Sequence, residues 1–187
     1  MRAFVATFPP LKIRAAAVTE AREAIRGSAA RVRWVRPENV HLTLKFLGDV
    51  REEILKYVDA ALEEVCATHT PFDVELAELG AFPSTQRARV LWRGVGAGFE
   101  ELRSLATDLE AALAPLGFER AERPYAPHLT VARVRGRPAS IDLPPDAEGA
   151  EFRVRHVELV ESTLTPEGAV YETVETFALS KKNQGTS

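Results

Sequence analysis

The chain has 187 residues, 45% of them hydrophobic and 27% charged, with a formal net charge of −3. That balance belongs to an ordinary globular chain and excludes an intrinsically disordered one. No run approaches the roughly 18 apolar residues of a membrane span, and the lone cysteine, Cys66, excludes an internal disulfide framework and a thiolate-built zinc site.

Arg2 to Phe8 reads as a strand. Its apolar part is too short for a signal peptide and is broken by Pro9 and Pro10, so the expected compartment is the cytoplasm. The two prolines open a helix to about Arg26, with Val18, Ala21 and Ile25 on one face. Arg31 to Val35 and His41 to Leu47 alternate like strands. Asp49 and Glu52 form a capping-box pattern, predicting a helix that carries Ile54, Val58, Ala61, Leu62 and Val65. Cys66 falls in that apolar pattern and is expected to be a buried thiol.

Phe72 to Leu79 and Arg89 to Val95 read as strands around a Phe82–Arg87 turn. Phe99, Leu102, Ala106, Leu109 and Leu113 mark a helix that stops near Gly117. His128 to Val134 is a strand, and residues 135 to 149 form a Pro- and Gly-containing loop expected to be mobile or functional. Phe152 to Glu161 and Val170 to Leu179 read as a closing hairpin across Pro166–Gly168, leaving 181–187 as a disordered tail. Strands come in adjacent pairs between helices, which predicts an α+β fold with antiparallel sheets.

One element repeats. Arg36-Pro37-Glu38-Asn39-Val40-His41-Leu42-Thr43 matches Arg123-Pro124-Tyr125-Ala126-Pro127-His128-Leu129-Thr130, with Arg, Pro, His, Leu and Thr recurring at an offset of 87. With four His and 13 Thr, His-x-Thr should arise by chance about 0.3 times in this chain. An internal duplication accounts for the match and implies two pseudo-symmetric lobes. Strand alternation sends Leu42, Leu44 and Phe46 to the core and His41, Thr43 and Lys45 to the other face. In the second copy Leu129 and Val131 go inward and His128 and Thr130 outward.

If a pseudo-two-fold axis relates the lobes, both pairs face one cleft. Two imidazoles can act near neutral pH as one base and one acid, while threonine hydroxyls donate to phosphate oxygens. Phosphodiester cleavage needs proton transfers on opposite sides of phosphorus, which such a pair supplies without a metal. No Asp, Glu or Cys stands beside either histidine at the parity a metal site requires. Arginines concentrated in the first 36 residues, and Arg133, Arg135 and Arg137, suit a short polyanion rather than a long duplex.

HLTLKFLG at 41–48 and HLTVAR at 128–133 resemble the paired HxTx motifs of the 2H phosphoesterase superfamily, in its RNA 2′,3′-cyclic phosphodiesterase (2′-5′ RNA ligase) branch. The opening MRAFVATFPP resembles that branch's first strand. The resemblance implies a bilobal domain over residues 1–180, each lobe an antiparallel sheet with outer helices, and a central groove holding both motifs. It implies hydrolysis of a terminal 2′,3′-cyclic phosphate on RNA to a 2′-phosphate, without metal or cofactor. His41 would donate a proton to the leaving 3′ oxygen, His128 would activate water, and Thr43 and Thr130 would hold the phosphate. With a 5′-hydroxyl replacing water, weak, reversible, ATP-independent 2′-5′ ligation would follow. The implied partners are RNA ends, such as tRNA halves or short oligonucleotides, met by a monomer with no protein partner.

Arg133 ends the second motif as a candidate phosphate or ribose contact, although strict alternation turns it away from His128. Lys45 has the right parity to add charge near the phosphate. Phe8 and Tyr125 are candidate stacking platforms for a terminal base, with core packing the alternative for Phe8. The competing reading is an RNA-end binding module without turnover. Gly94 to Gly98 reads as a strand-to-helix turn, and His69 and His156 as structural histidines.

Overall fold

The computed structural model describes residues 1–145 and 149–180, so the expected tail and part of the 135–149 loop lie outside the described residues. Among the described residues the chain forms nine strands and three α-helices, with strands following one another between the helices. They are β1 (Arg2–Thr7), α1 (Leu11–Ala24), β2 (Val32–Trp34), β3 (Leu42–Asp49), α2 (Leu55–Ala67) and β4 (Phe72–Phe82). Then come β5 (Val90–Val95), α3 (Phe99–Leu113), β6 (Leu129–Val134), β7 (Glu151–Val154), β8 (His156–Thr165) and β9 (Gly168–Ala178).

All strand pairs are antiparallel, in the order β7-β4-β5-β6-β3-β1-β8-β9, with β2 added to β6. The order is symmetric about its middle: β3 matches β6, β1 matches β5, and each half has two further strands. The halves join through a single pair, Leu42↔Leu129, at the centre of the two repeated motifs. The pseudo-two-fold relation read from the repeat is therefore built into one continuous curved sheet with a lobe on each side.

The helices cover the outer surface. α1 lies against β6, and α2 and α3 pack on each other and against β9 and β3. Leu62, Leu102, Leu105, Leu109 and Leu113 are fully buried there, in a core cluster that runs through both lobes. Truncating one such leucine to alanine costs about 2–5 kcal/mol. Arg93, fully buried on β5, forms an ion pair with Glu20 of α1 and so ties helix to strand. Cys66 is buried as expected, and burial pushes its thiol up to about 12.

Three local expectations change. The capping box does not form: Asp49 stays in the sheet opposite Arg2, a 3-10 turn follows at Glu52–Ile54, and α2 begins at Leu55 with no side-chain cap. The predicted strand Phe152–Glu161 breaks at Arg155, so that β7 pairs with β4 and β8 with β1 at opposite ends of the sheet. The buried positions shift phase at the break, from Phe152 and Val154 before it to Val157 and Leu159 after it, as the strand changes partner. The described part of the 135–149 loop is pinned rather than free: Ala139 bridges Ala88, and the Ile141 amide donates to the Thr85 carbonyl. The hairpin of β8 and β9 turns where expected, with Gly168 at φ 135.

Candidate active site

The Leu42↔Leu129 pair fixes the geometry of the groove. In that register His41 stands opposite Thr130 and His128 opposite Thr43. The two histidines are then diagonal neighbours on adjacent strands, about 7–8 Å apart at the backbone. That span admits one phosphate between the rings.

Both rings are anchored alike. His41 Nδ1 lies 2.7 Å from the Asn39 carbonyl, and His128 Nδ1 lies 2.7 Å from the Ala126 carbonyl. A carbonyl only accepts, so Nδ1 carries the donated proton and Nε2 is the nitrogen left to titrate. The turn preceding His41 is itself held: Arg14 donates to the carbonyls of Pro37 and Glu38, and Asn39 Nδ2 donates to the Ala169 carbonyl. Before His128, the Tyr125 hydroxyl donates to the Thr43 carbonyl at 2.9 Å, so each motif helps to place the other.

The rings sit in unlike surroundings. His41 stacks on Phe4 at 4.8 Å, meets Tyr171 edge-on at 5.3 Å and has Phe8 at 5.4 Å. Burial, with further lowering from His128, Arg14 and Arg133, brings its pKa down to about 4, against the opposing pull of the Asn39 carbonyl. His128 meets Phe82 edge-on at 5.0 Å and Trp92 at 6.4 Å. Trp92 reaches this place by lying across Gly80, where any Cβ would overlap the indole.

Both motif strands bulge just after their threonine. Ala6 pairs with Thr43 and Val5 with Lys45, skipping Leu44; Trp92 pairs with Thr130 and Leu91 with Ala132, skipping Val131. An extra residue reverses the alternation beyond it. Arg133 is thereby turned back toward the groove, where its charge acts on His41 and Tyr171. Phe46, at the equivalent position of the first motif, leaves the core expected for it and stands 72% exposed, 6.4 Å from Phe4.

The same bulge corrects Lys45. It is buried, with Nζ 2.8 Å from Glu110 Oε2 and also donating to the Glu119 carbonyl, and it braces the segment leading into the second motif. Tyr125 is also a brace: its hydroxyl donates to the Thr43 carbonyl and burial pushes its pKa upward, while the residue lines the cavity that holds Thr43 and His128. Phe8 is half-buried against Phe4, Ala6 and Val160, with Arg14 over its ring. His69 and His156 pair with Asp108 and Glu158, as structural histidines do.

Sequence reasoning missed Phe4, Tyr171, Phe82 and Trp92, which wall the two histidines, and the groove placement of Phe46, whose ring lies near Phe4. One signal was available: Phe46 and Arg133 share the offset of 87. Among the described residues no group of three or more His, Cys, Asp or Glu is placed to hold a metal ion, and no helix is long and apolar enough to cross a membrane.

The profile of the LigT-like phosphoesterase family matches residues 10–92 and 95–171, one His-x-Thr motif falling in each stretch. The chain belongs to this family. It is 36% identical over 168 residues to the RNA 2′,3′-cyclic phosphodiesterase of Methanothermobacter thermautotrophicus, covering 87% of this chain and 90% of that protein. It is 37% identical over 187 residues to the protein of that name from Thermus thermophilus, covering 96% of this chain and 90% of that one. Among solved structures, the T. thermophilus protein TT0787 aligns with a TM-score of 0.85 at 33% identity, over 98% of this chain and all of that one. E. coli LigT complexed with 3′-AMP aligns with a TM-score of 0.82 at 27% identity, over 96% of this chain and 98% of that one.

Proposed function

We propose that this LigT-like phosphoesterase hydrolyses 2′,3′-cyclic phosphate ends of RNA to 2′-phosphates, with His41 and His128 as the two proton-transfer groups. The carrying observation is the pair of Nδ1-anchored imidazoles set diagonally about Leu42↔Leu129, each opposite the other motif's threonine. The cyclic-phosphodiesterase names of the relatives support the substrate, and the 3′-AMP held by E. coli LigT supports a nucleotide in the groove.

The phosphate sits between the imidazoles with Thr43 and Thr130 donating to its non-bridging oxygens. His128 takes a proton from water as its oxygen bonds to phosphorus. The bond from phosphorus to the 3′ oxygen breaks, and His41 Nε2 supplies that oxygen's proton. His41 is held neutral in the free protein. A phosphate anion within about 4–6 Å raises a histidine pKa by 1–3 units, so the substrate itself brings His41 toward the charged form needed for the acid role. Arg133, on the groove side, balances the same negative charge. Phe46, with Phe8 beside His41, offers an aromatic face to the terminal base. No step calls on a metal. The protein acts as a cytoplasmic monomer on short RNA ends, and a 5′-hydroxyl in place of water gives weak 2′-5′ ligation without ATP.

The test is incubation with RNA ending in a 2′,3′-cyclic phosphate in the presence of EDTA, followed by product analysis. A 2′-phosphate product is expected. Loss of turnover to the chelator, restored by a divalent ion, overturns the metal-free mechanism, and tight binding without product leaves the binding-module reading in its place.

A further inference from the structure

The pseudo-symmetry of the sheet is broken beside the two motif strands. On the second lobe, β6 beyond Thr130 is covered by β2, through Trp34↔Ala132 and Val32↔Val134. On the first lobe, β3 beyond Leu42 has no strand on that side among the described residues. The segment equivalent to β2 at the offset of 87, near Glu119–Ala121, forms no strand and stands off, held by Lys45 and Glu110.

A cavity of about 1170 Å³ lies between that open edge, α3 and residues 116–126. It begins at Thr43 and His128, runs past the exposed ring of Phe46, and carries Arg51, Arg120 and Arg123 in its lining. All three arginines are exposed, and Lys45 and Glu110 neutralise each other, so three positive charges face two carboxylates, Asp49 and Glu119. Small-ligand sites occupy roughly 300–1,000 Å³, so this space exceeds what one nucleotide needs.

We propose that this cavity takes the nucleotide 5′ to the cyclic-phosphate terminus, so that the site selects oligonucleotide ends over cyclic mononucleotides. The proposal rests on the reading of the groove given above. Beyond the Thr43 carbonyl, which accepts the Tyr125 hydroxyl, the edge of β3 that no strand covers among the described residues offers backbone donors and acceptors to sugar and base whatever the sequence, and the arginines meet the bridging phosphate, as in other single-strand grooves. Hydrolysis requires no second nucleoside on the water side, whereas every RNA end has a 5′ neighbour. That favours the upstream nucleotide over an incoming 5′-hydroxyl strand.

The experiment measures binding of adenosine 2′-monophosphate and of the ApA dinucleotide ending in a 2′-phosphate, by titration calorimetry. Turnover is not needed, so the result is independent of whether the hydrolytic reading holds. The wild type is expected to bind the dinucleotide about tenfold tighter, the scale of one further stacked base or phosphate contact. The double variant Arg51→Ala/Arg123→Ala should bring that ratio close to one. So should Ala111→Trp, which fills the cavity from an exposed helix position and removes no charge. Equal affinity of the wild type for both ligands, or a ratio kept in both variants, overturns the proposal. Failure of the hydrolytic reading would show elsewhere, as absence of turnover on every cyclic-phosphate substrate.

Discussion

The two motif strands share a frame and differ in what surrounds it. In each, the histidine donates from Nδ1 to the carbonyl two residues before it, and the strand bulges one residue after the threonine. These features recur at equivalent positions of the two repeats. What differs is the residue the bulge exposes: an aromatic ring at Phe46, a guanidinium at Arg133. The wall differs as well. His41 is enclosed by Phe4, Phe8 and Tyr171 with two arginines nearby, while His128 meets Phe82 and Trp92 and opens on the large cavity. Duplication supplies two equivalent proton-transfer groups, and divergence around them makes one end of the groove unlike the other.

The largest effect expected from breaking this comparison is in rate. His41→Ala and His128→Ala should each lower single-turnover cleavage by roughly 10²–10⁴-fold, the usual scale for a general acid or base. Near wild-type turnover in either variant removes that residue from the chemistry. Thr43→Val and Thr130→Val should each cost about 10–100-fold, the loss of one hydrogen bond to a charged oxygen, with the rings still anchored. Unequal losses would show that the phosphate leans toward one motif. Lys45→Met should lower stability by about 2 kcal/mol in denaturant unfolding, less than for a fully buried pair because Glu110 keeps 20% of its surface exposed. Alanine at the pseudo-equivalent residue, Ala132, has no such partner to lose.

The smallest effect is a pH slope. The native pKa of His41 near 4 lies below its unfolded value of about 6.5, so the unfolded chain takes up this proton first. The stabilisation from keeping His41 neutral is complete above about pH 6.5 and is lost as pH falls toward 4. His41→Asn should flatten that decline, read from unfolding curves against the wild type. A wild-type slope retained in the variant would show that other groups set it.

Much of this was legible before any coordinates. The repeat at an offset of 87 located both histidines and both threonines and implied the two-fold arrangement that Leu42↔Leu129 realises. The failures share a cause. Strand alternation is local, and a bulge is set by pairing with another strand, so the reversal after Leu44 and Val131 could not be read from either motif alone. Strict alternation therefore exchanges Lys45 and Phe46 between core and groove and turns Arg133 away, although Arg133 ends the second motif as a candidate phosphate contact. The change of partner at Arg155 differs in kind: the apolar positions pass from 152 and 154 to 157 and 159, a local sign of the break. The bond from the Tyr125 hydroxyl to the Thr43 carbonyl, 82 residues away in sequence, is likewise beyond a local reading.

The central claim is that both imidazoles act on one phosphorus in one step, and a double-mutant cycle tests it most directly. Single-turnover rates on RNA ending in a 2′,3′-cyclic phosphate are compared for the wild type, His41→Ala, His128→Ala and the double variant. Groups that serve the same step are far from additive. The double variant is expected to be no slower than the slower single variant within a few-fold. Losses that multiply, so that the double variant falls by the product of the single effects, would show that the two histidines act independently and would contradict the account.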